Sequence, residues 1–580
     1  MRLRFAAAAL AVLLSLAEPA AAADPIMPLS EVRSGMQCTG LSVVQGTEIS
    51  SFSVEVLDVV DGEPTAGGPR ILVRASGPAV DDTGIGPGFS GSPILCPGAD
   101  GAPRNIGAIS EGLGEFGGKV VLATPIEAVL GNPVDPPVAR RGGGRAADRR
   151  ILARARPLTA PLTISGLSPA LGARLQQAAA QRGRVVLAAP AGPLGSFPPQ
   201  ELRPGAALGV SYASGDVRLG AVGTVAYTDG ASVWGFGHFF EGLGRRSLFL
   251  QDAYVYRVVP NPVAIPGSAD TYKLAATGHD LGTLTNDAPD AVVGRVGALP
   301  VRIPVRVRAT DLDRDVTRTV SSDVADETAV DQPSGTSAIS LIAPLAVLEA
   351  SAAVLRGAPA RLTGKACVEI GVRRLADPMR FCKRYVTEAT DLTAGGDPVA
   401  SLLASDVLAA ISYIDAYRLG PVHVTGISAR LSTARGERLT YLRGVRLPER
   451  VRAGSRVRAT LLLRHVRGPA ERRRVTLRLP ADLEPGPRRL HLTGTGPDFG
   501  VDFLGDLLGI FGEDPTGAGP GMPSLQRVAK AVERIGGYDG LRIRGGAAPG
   551  GEGRRAGRPA YRAPDVRIAG RASTRVRVVG

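Results

Sequence analysis

The sequence contains few of the residues that build metal centres. Its 580 residues include five histidines and four cysteines, and aromatic residues make up 4% of the chain. The histidines are scattered, and no two cysteines have the CxxC spacing of a zinc site. We therefore expect no metal ion and no cofactor.

Long apolar segments are also absent after the N-terminus. The segment Ala338–Leu355 comes nearest, but Pro344 and Glu349 interrupt it. A helix that crosses a bilayer needs about 20 apolar residues. The sequence therefore predicts no transmembrane segment in the mature protein.

The charge is strongly positive but is carried almost wholly by arginine. The chain has 68 lysines and arginines against 54 aspartates and glutamates, a net charge of +14, and five of the basic residues are lysines. This skew accompanies abundant alanine, glycine and proline, which is typical of GC-rich coding. Because the basic residues are spread over strand-like segments rather than gathered on one aromatic-bearing face, we expect no nucleic-acid partner. A solvated basic surface is the favoured interpretation, and association with an acidic cell-wall polymer is the open alternative.

The N-terminus has the pattern of a secretory signal peptide at residues 1–23. Arg2 and Arg4 precede an apolar run of twelve residues, Phe5 to Leu16, and Ala21 to Ala23 offer a small-residue cleavage site. The run is too short to span a bilayer. We expect an exported protein of the cell envelope or the extracellular space.

The four cysteines fit an oxidising compartment, in which disulfides persist. Four cysteines allow three pairings. Cys38 and Cys96 flank one glycine-rich segment, whereas Cys367 and Cys382 lie in two strand-like runs joined by a turn. The pairings Cys38–Cys96 and Cys367–Cys382 are therefore favoured.

Short alternating apolar runs with glycine turns predict a mainly β protein with an α+β region. A helix is expected from Ser524 to Ile535, with Ser524 as its cap. The predicted organisation is a signal peptide at 1–23, a β subdomain at 24–135, a linker at 136–160, a second β subdomain at 161–330, an α+β domain at 331–445, and an immunoglobulin-like β-sandwich with Gly/Arg-rich flexible segments at 446–580.

The segment Gly86–Pro93 is the strongest candidate for chemistry. It places Ser90 between glycines and ends in Gly-Ser-Pro. Glycines permit the sharp turn that presents a serine nucleophile, and they leave N–H groups bare to face an oxyanion. An ordinary turn is the competing interpretation, because Gly, Ser and Pro favour turns in general.

A second candidate is His238, at the end of a predicted β-hairpin. An Asp229-Gly230 turn joins the two strands, and Gly237 precedes the histidine. A histidine between aromatic residues is more often a packed core residue than a catalytic one. The flanking glycines nevertheless indicate a backbone built for close approach.

Together these two segments resemble the SpoIVB peptidase family, serine peptidases of bacterial envelopes and spore formation. Gly88 to Pro93 match the family's Gly-Met-Ser-Gly-Ser-Pro motif, with Phe89 in place of methionine. Gly223 to Phe240 match the setting of its histidine, with Phe239 in place of proline. The likeness covers roughly residues 30–310, and the serine here precedes the histidine, an order to which catalytic geometry is indifferent.

The resemblance implies a secreted or envelope serine endopeptidase that cuts peptide bonds of protein substrates with restricted specificity. Ser90 would be the nucleophile, His238 the general base, and the N–H groups of Gly88 and Ser90 the oxyanion donors. Two small β-barrel-like subdomains, one with each residue, would form a trypsin-like unit with the active site between them.

One residue of the family pattern is missing. Ser76 stands where the family has an aspartate before the nucleophile. Asp81 and Asp82 are the nearest substitutes for orienting His238, and Asp252 is a further candidate. The alternative function is therefore a catalytically inactive, peptidase-like protein that binds or scaffolds envelope components.

Overall fold

The structure is a computed structural model in which strands dominate, with 53% of residues in strands and 17% in helices. The predicted signal peptide and most of the predicted Gly-rich flexible segments lie outside the described residues. The described residues are 24–61, 68–114, 117–134, 146–158, 162–181, 185–190, 197–260, 271–330, 338–355, 359, 361–386, 397–417, 419–494, 522–535, 540–545, 560–563 and 565–579.

The first part of the chain forms a closed six-stranded β-barrel. Its strands are β1 (Gln37–Val43), β2 (Ile49–Val60), β3 (Arg70–Ser76), β4 (Pro93–Pro97), β5 (Pro103–Gly112) and β6 (Val120–Pro125). The order is β4-β1-β2-β3-β6-β5, and pairing of β4 with β5 closes the barrel. Alternate residues of each strand, such as Val54 and Ile71, fill the interior. The expected disulfide Cys38–Cys96 joins β1 to β4.

The predicted linker at 136–160 is partly regular structure. After α1 (Ile126–Val129), the chain forms α2 (Ala146–Arg154) and β7 (Arg156–Pro157), and β7 pairs with β5. Leu158 is buried in the core of the first barrel. The end of this segment therefore belongs to the first barrel, and a two-residue strand is too short to show a period in the sequence.

The second part of the chain forms another closed ring of six strands within a larger sheet. The elements are β8 (Leu162–Ser165), α3 (Pro169–Ala180), β9 (Val186–Ala189), β10 (Ala207–Gly215), β11 (Arg218–Asp229), β12 (Ser232–Gly235), β13 (Gly244–Pro260), β14 (Thr271–Ala288), β15 (Ala291–Val296), β16 (Arg302–Asp311) and β17 (Val316–Ala325). The ring runs β10-β13-β14-β15-β12-β11 and closes where β10 also pairs with β11. Two β-barrels are therefore present, as the sequence predicts at the coarse level.

The α+β region continues the second sheet instead of standing apart from it. It contains α4 (Ala338–Leu355), β18 (Leu362–Val372), β19 (Met379–Val386), α5 (Pro398–Asp415) and β20 (Val424–Arg435). β20 pairs in parallel with β16, and β18 and β19 extend the sheet further. The expected disulfide Cys367–Cys382 joins opposite residues of β18 and β19. The predicted boundary at residue 330 is thus not a break in the sheet.

The helices α4 and α5 are long and apolar enough to cross a membrane by length and composition alone. Within their most apolar windows, 78% of α4 and 56% of α5 is buried inside the protein. The core helix of a folded domain has the same length and composition. Both α4 and α5 pack against strands of the second sheet.

The last part of the chain forms two sheets that share one apolar core. The elements are β21 (Leu439–Arg446), β22 (Arg450–Arg452), β23 (Arg456–His465), β24 (Ala470–Arg478), β25 (Gly486–Gly494), α6 (Leu525–Glu533), β26 (Gly540–Gly545), β27 (Tyr561–Arg562), β28 (Arg567–Ala569) and β29 (Arg571–Val579). The sheet orders are β24-β23-β21-β28 and β22-β29-β25-β26-β27, and residues from both form the core. The predicted cap of α6 is confirmed, because the Ser524 side chain accepts from the Arg527 N–H.

Candidate active site

The Ser90 turn lies against the second barrel, and its glycines are required by that approach. A Cβ at Gly86 would lie 2.0 Å from the carbonyl oxygen of Thr271, and one at Gly91 would lie 2.0 Å from that of Thr224. Gly91 also has a φ of +89°, which L side chains rarely adopt. Any side chain at these two positions would push the second barrel away from the turn.

The segment that ends at His238 meets the same turn from the second barrel. The Thr224 N–H donates to the carbonyl oxygen of Ser90 at 2.8 Å. The carbonyl oxygen of Ile109 accepts from the Gly91 N–H at 2.8 Å and lies 3.1 Å from where a Cβ of Gly237 would be. The residue after the serine and the residue before the histidine therefore meet at one carbonyl group.

The backbone that leads into His238 is held in an unusual conformation. Phe236 and Gly237 both have a φ of +66°. A left-handed conformation at a bulky residue such as Phe236 costs of order 1–3 kcal/mol and persists only when the surroundings enforce it. Burial of Phe236, which is 1% exposed, supplies that enforcement.

His238 is buried and its tautomer is fixed by the main chain. Its Nδ1 lies 2.6 Å from the carbonyl oxygen of Phe239. Because a carbonyl oxygen can only accept, Nδ1 carries the proton, and the neutral ring keeps a free lone pair on Nε2. Burial lowers the pKa of His238 below its ordinary value, against the smaller opposing effects of nearby main chain and of Glu111 and Asp287. The imidazole is therefore set up as a neutral base.

Four polar groups of these two segments have no hydrogen-bond partner among the residues that the structure describes. Two are side-chain atoms, Ser90 Oγ and His238 Nε2. The other two are the N–H groups of Gly88 and Ser90, which donate to no described residue. Leaving a buried polar group unpaired costs about 1–3 kcal/mol, so each of these groups calls for an explanation.

The predicted hydrogen bond between Ser90 and His238 is not formed. Both side-chain atoms are unpaired, so neither bonds the other. Ser90 is fully buried and His238 is 4% exposed. The structure thus brings the two segments together but leaves the Ser90 and His238 side chains buried and not bonded to each other.

None of the predicted aspartates orients His238, and each has a different role or place. Asp81 is exposed and pairs with Lys119 at 2.8 Å, and this partner lowers the pKa of Asp81. Asp82 is exposed as well. Asp252 is buried and binds the Nδ1 of His279 at 3.0 Å. The carbonyl of Phe239 takes the place that the sequence assigned to a carboxylate.

Asp287 holds the loop that follows His238, and sequence analysis did not single it out. Its carboxylate accepts from the N–H groups of Phe240, Glu241 and Gly242 at 2.6–2.7 Å. The side chain is 1% exposed. Asp287 therefore fixes the main chain that orients the imidazole, without touching the imidazole itself.

Lys273 was also missed, although it passes directly beneath the Ser90 turn. Its Nζ donates to Ser42 Oγ at 2.7 Å, and Ser42 Oγ lies 2.9 Å from Ser92 Oγ, within hydrogen-bond distance. The amine nitrogen also lies 4.5 Å from the centre of the Phe89 ring. Burial lowers the pKa of Lys273 from 10.5 to about 7. The sequence offers no signal for this lysine except its rarity.

The main chain of Lys273 and the side chain of Ser92 fix the two peptide planes that carry the unpaired N–H groups. The Lys273 N–H donates to the carbonyl oxygen of Pro87 at 3.0 Å, which belongs to the plane of the Gly88 N–H. Ser92 Oγ donates to the carbonyl oxygen of Phe89 at 2.6 Å, which belongs to the plane of the Ser90 N–H. Because C=O and N–H point in opposite directions in a trans peptide, the first bond aims the Gly88 N–H away from the Lys273 main chain and the second aims the Ser90 N–H away from Ser92.

Comparison of the chain with protein-family models, with curated proteins and with solved structures finds no match. The geometry of the turn, the imidazole and the lysine is therefore the basis for a function.

Proposed function

We propose that the protein is a serine endopeptidase of the cell envelope or extracellular space that resembles the SpoIVB peptidases. The observation that carries the proposal is that four polar groups of the two adjoining segments have no partner among the described residues: Ser90 Oγ, His238 Nε2 and the N–H groups of Gly88 and Ser90. These are a nucleophile, a base and two oxyanion donors, which are the parts that acyl transfer requires.

In the proposed reaction, His238 Nε2 takes the Ser90 proton as Oγ attacks the carbonyl carbon of the scissile peptide. The imidazolium then gives this proton to the leaving amine, and the acyl group remains on Oγ until water hydrolyses it by the reverse sequence. The Phe239 carbonyl keeps Nδ1 protonated throughout. The centre is thus a Ser–His dyad with a main-chain orienting group.

The developing oxyanion would lie between the N–H groups of Gly88 and Ser90. Donors that are aimed before the reaction need no reorganisation, and one such donor accounts for about 10²–10³ in kcat. The hydrogen bonds of the Lys273 N–H to Pro87 and of Ser92 Oγ to Phe89 supply this aim. No metal or cofactor is required for these steps.

The architecture and the compartment support the same function. Two six-stranded barrels meet at the Ser90 turn, and trypsin-like peptidases likewise place their active site between two barrels, although this is a likeness of fold alone. Two disulfides are consistent with an oxidising, exported environment. A protein or peptide is the proposed substrate, cut with restricted specificity.

Burial favours a second candidate function, the inactive scaffold. Ser90 is 0% exposed, so a substrate reaches it only if the second barrel moves off the turn. A protein that has kept the fold but lost catalysis would not need that movement.

Active-site labelling distinguishes the two functions. We expect a fluorophosphonate, incubated for hours with the purified mature protein, to label Ser90, and Ser90→Ala to abolish the label. His238→Gln should slow labelling by at least about 100-fold, the lower bound for loss of a general base. Ser110→Ala is the matched control, since it removes another fully buried hydroxyl of the same barrel and should leave the rate unchanged.

Each outcome is informative. A folded wild-type protein that takes no label, and cleaves no peptide of a random library, is the inactive scaffold. Label that survives Ser90→Ala identifies a different nucleophile. A rate unchanged by His238→Gln removes the imidazole from the mechanism.

A further inference from the structure

The outer face of the sheet β24-β23-β21 is a field of arginines. In β23 and β24 the exposed residues occupy alternate positions, so the strand period of two places them on one side. The exposed arginines of these three strands are Arg443, Arg446, Arg456, Arg458, Arg464, Arg472, Arg474 and Arg478. The sequence predicts no gathering of basic residues on one face. The folded sheet nevertheless has such a face, because the arginines of neighbouring strands occupy positions that point to the same side.

This field carries charge that no carboxylate of the described residues neutralises by a salt bridge. Among the described residues, none of the eight guanidinium groups lies within 4.0 Å of a carboxylate, unlike the neighbouring Arg473, which pairs with Glu471 and Asp565. Arg456 and Arg478 stand directly opposite each other on neighbouring strands. Like charges in that position destabilise a sheet, so an anion bound across them would relieve the repulsion.

One end of the field forms a groove with an aromatic floor. Tyr441 and Leu462 lie there beside Arg443, Arg464 and Arg472, around a volume of about 750 Å³. Glu471 also lines the groove, and its carboxylate is bound by Arg473 and His465. Tyr441 is 43% exposed and is the cross-strand neighbour of Arg464. An exposed ring flanked by guanidinium groups can stack on a flat apolar face while the arginines bind acidic groups.

We propose that this groove and the arginine field beyond it bind an acidic polysaccharide. A sugar ring has an apolar face for Tyr441, and its carboxylates or phosphates suit Arg443, Arg464 and Arg472. A polymer fits better than a single anion, because the arginines continue along β23 and β24 past the groove. Surfaces for single-stranded nucleic acid use several stacking aromatics, whereas Tyr441 is the one exposed aromatic among the described residues of these strands.

The proposal stands without the peptidase, because the sandwich is remote in sequence from Ser90 and uses none of its residues. In this proposal, the last domain keeps the protein bound to an acidic polymer.

The opposite sheet of the sandwich provides a matched control. Its outer face also carries exposed arginines without a described carboxylate partner, among them Arg542, Arg544 and Arg575. No exposed aromatic residue accompanies them among the described residues of that sheet. Replacing three arginines on either sheet changes the net charge equally, so a difference between the two variants reports the groove itself.

The test uses the full mature chain with polygalacturonate at 0.15 M salt, measured by calorimetry, with neutral dextran as the uncharged polymer. We expect R443Q/R464Q/R472Q to weaken binding at least 10-fold and Tyr441→Ala at least 5-fold. R542Q/R544Q/R575Q should change it by less than 3-fold. Thermal unfolding checks that all variants keep the wild-type fold.

Three results would overturn the proposal. Equal losses in the two triple variants would mean that general charge attraction alone binds the polymer. Tighter binding of a single-stranded oligonucleotide that also depends on Tyr441 would make the groove a nucleic-acid site. Absence of polygalacturonate binding by the folded wild type would remove the acidic-polysaccharide function.

Discussion

Replacing Lys273 by methionine tests the electrostatics beneath the Ser90 turn. Burial lowers the pKa of this lysine from 10.5 to about 7, whereas the unfolded chain keeps the ordinary value. Between these two pH values the unfolded state binds one more proton than the folded state. Stability therefore rises with pH in this window, by about 1.4 kcal/mol per pH unit at most.

The size of the effect follows from the two pKa values. At pH 7 the lysine lowers the free energy of unfolding by roughly 4 kcal/mol relative to strongly alkaline pH, and at pH 9 by roughly 2 kcal/mol. Methionine fills a similar volume and cannot titrate. The stability of Lys273→Met relative to wild type should therefore fall by roughly 2 kcal/mol between pH 7 and pH 9.

Urea unfolding at pH 7, 8 and 9 measures this difference, and titrations common to both proteins cancel in it. Lys119→Met is the control: Lys119 is 37% exposed and pairs with Asp81 at the surface, so this variant removes a lysine without removing a buried amine. Parallel pH curves for wild type and Lys273→Met would refute the assignment of a neutral, buried lysine in the folded protein.

Two further substitutions test the packing and the orientation of the site. Gly91→Ala should lower the free energy of unfolding by at least about 2 kcal/mol, because its Cβ would lie 2.0 Å from a carbonyl oxygen. The control Gly101→Ala changes a glycine at a positive φ with nothing within 4 Å, and it should lower the free energy of unfolding by about 1 kcal/mol. Equal losses of the two variants in urea unfolding would contradict the close approach at Gly91. Asp287→Ala removes the acceptor of three N–H groups and should slow fluorophosphonate labelling at least 10-fold. Asp82→Ala, at an exposed position, should leave the labelling rate unchanged. If Asp82→Ala slowed labelling and Asp287→Ala did not, Asp82 would be the residue that orients His238.

The elements that the sequence predicts well are those with a clear period or cap. Alternation in segments such as β23 and β24 predicts strands with one buried side, and Ser524 predicts the start of α6. The pairing of Cys367 with Cys382 follows from two strands joined by a turn. The continuation of the second sheet through β16 and β20 could not be predicted, because a parallel pair brings together segments with no local signal between them.

The residues of the candidate site likewise include some that the sequence indicates and some that it does not. The Ser90 turn and His238 carry glycines that are visible in the sequence. Lys273 reaches the turn only because the hairpin of β13 and β14 extends to the first barrel, where Gly46 and Val255 exchange two hydrogen bonds. That contact depends on how two barrels dock. No local pattern predicts it.

The structure also changes which observation supports catalysis. Gly86 and Gly91 are explained by the close approach of Thr271 and Thr224, so a glycine-flanked serine is what packing alone would produce here. Packing does not explain why Ser90 Oγ, His238 Nε2 and two N–H groups stay unpaired in the interior, since each such group destabilises the fold. Nor does it explain why the Lys273 amine, which can carry a charge, is buried 4.5 Å from the Phe89 ring of the turn that presents those N–H groups. An enzyme is therefore supported by the unpaired groups and by the buried lysine more than by the motif that led to them.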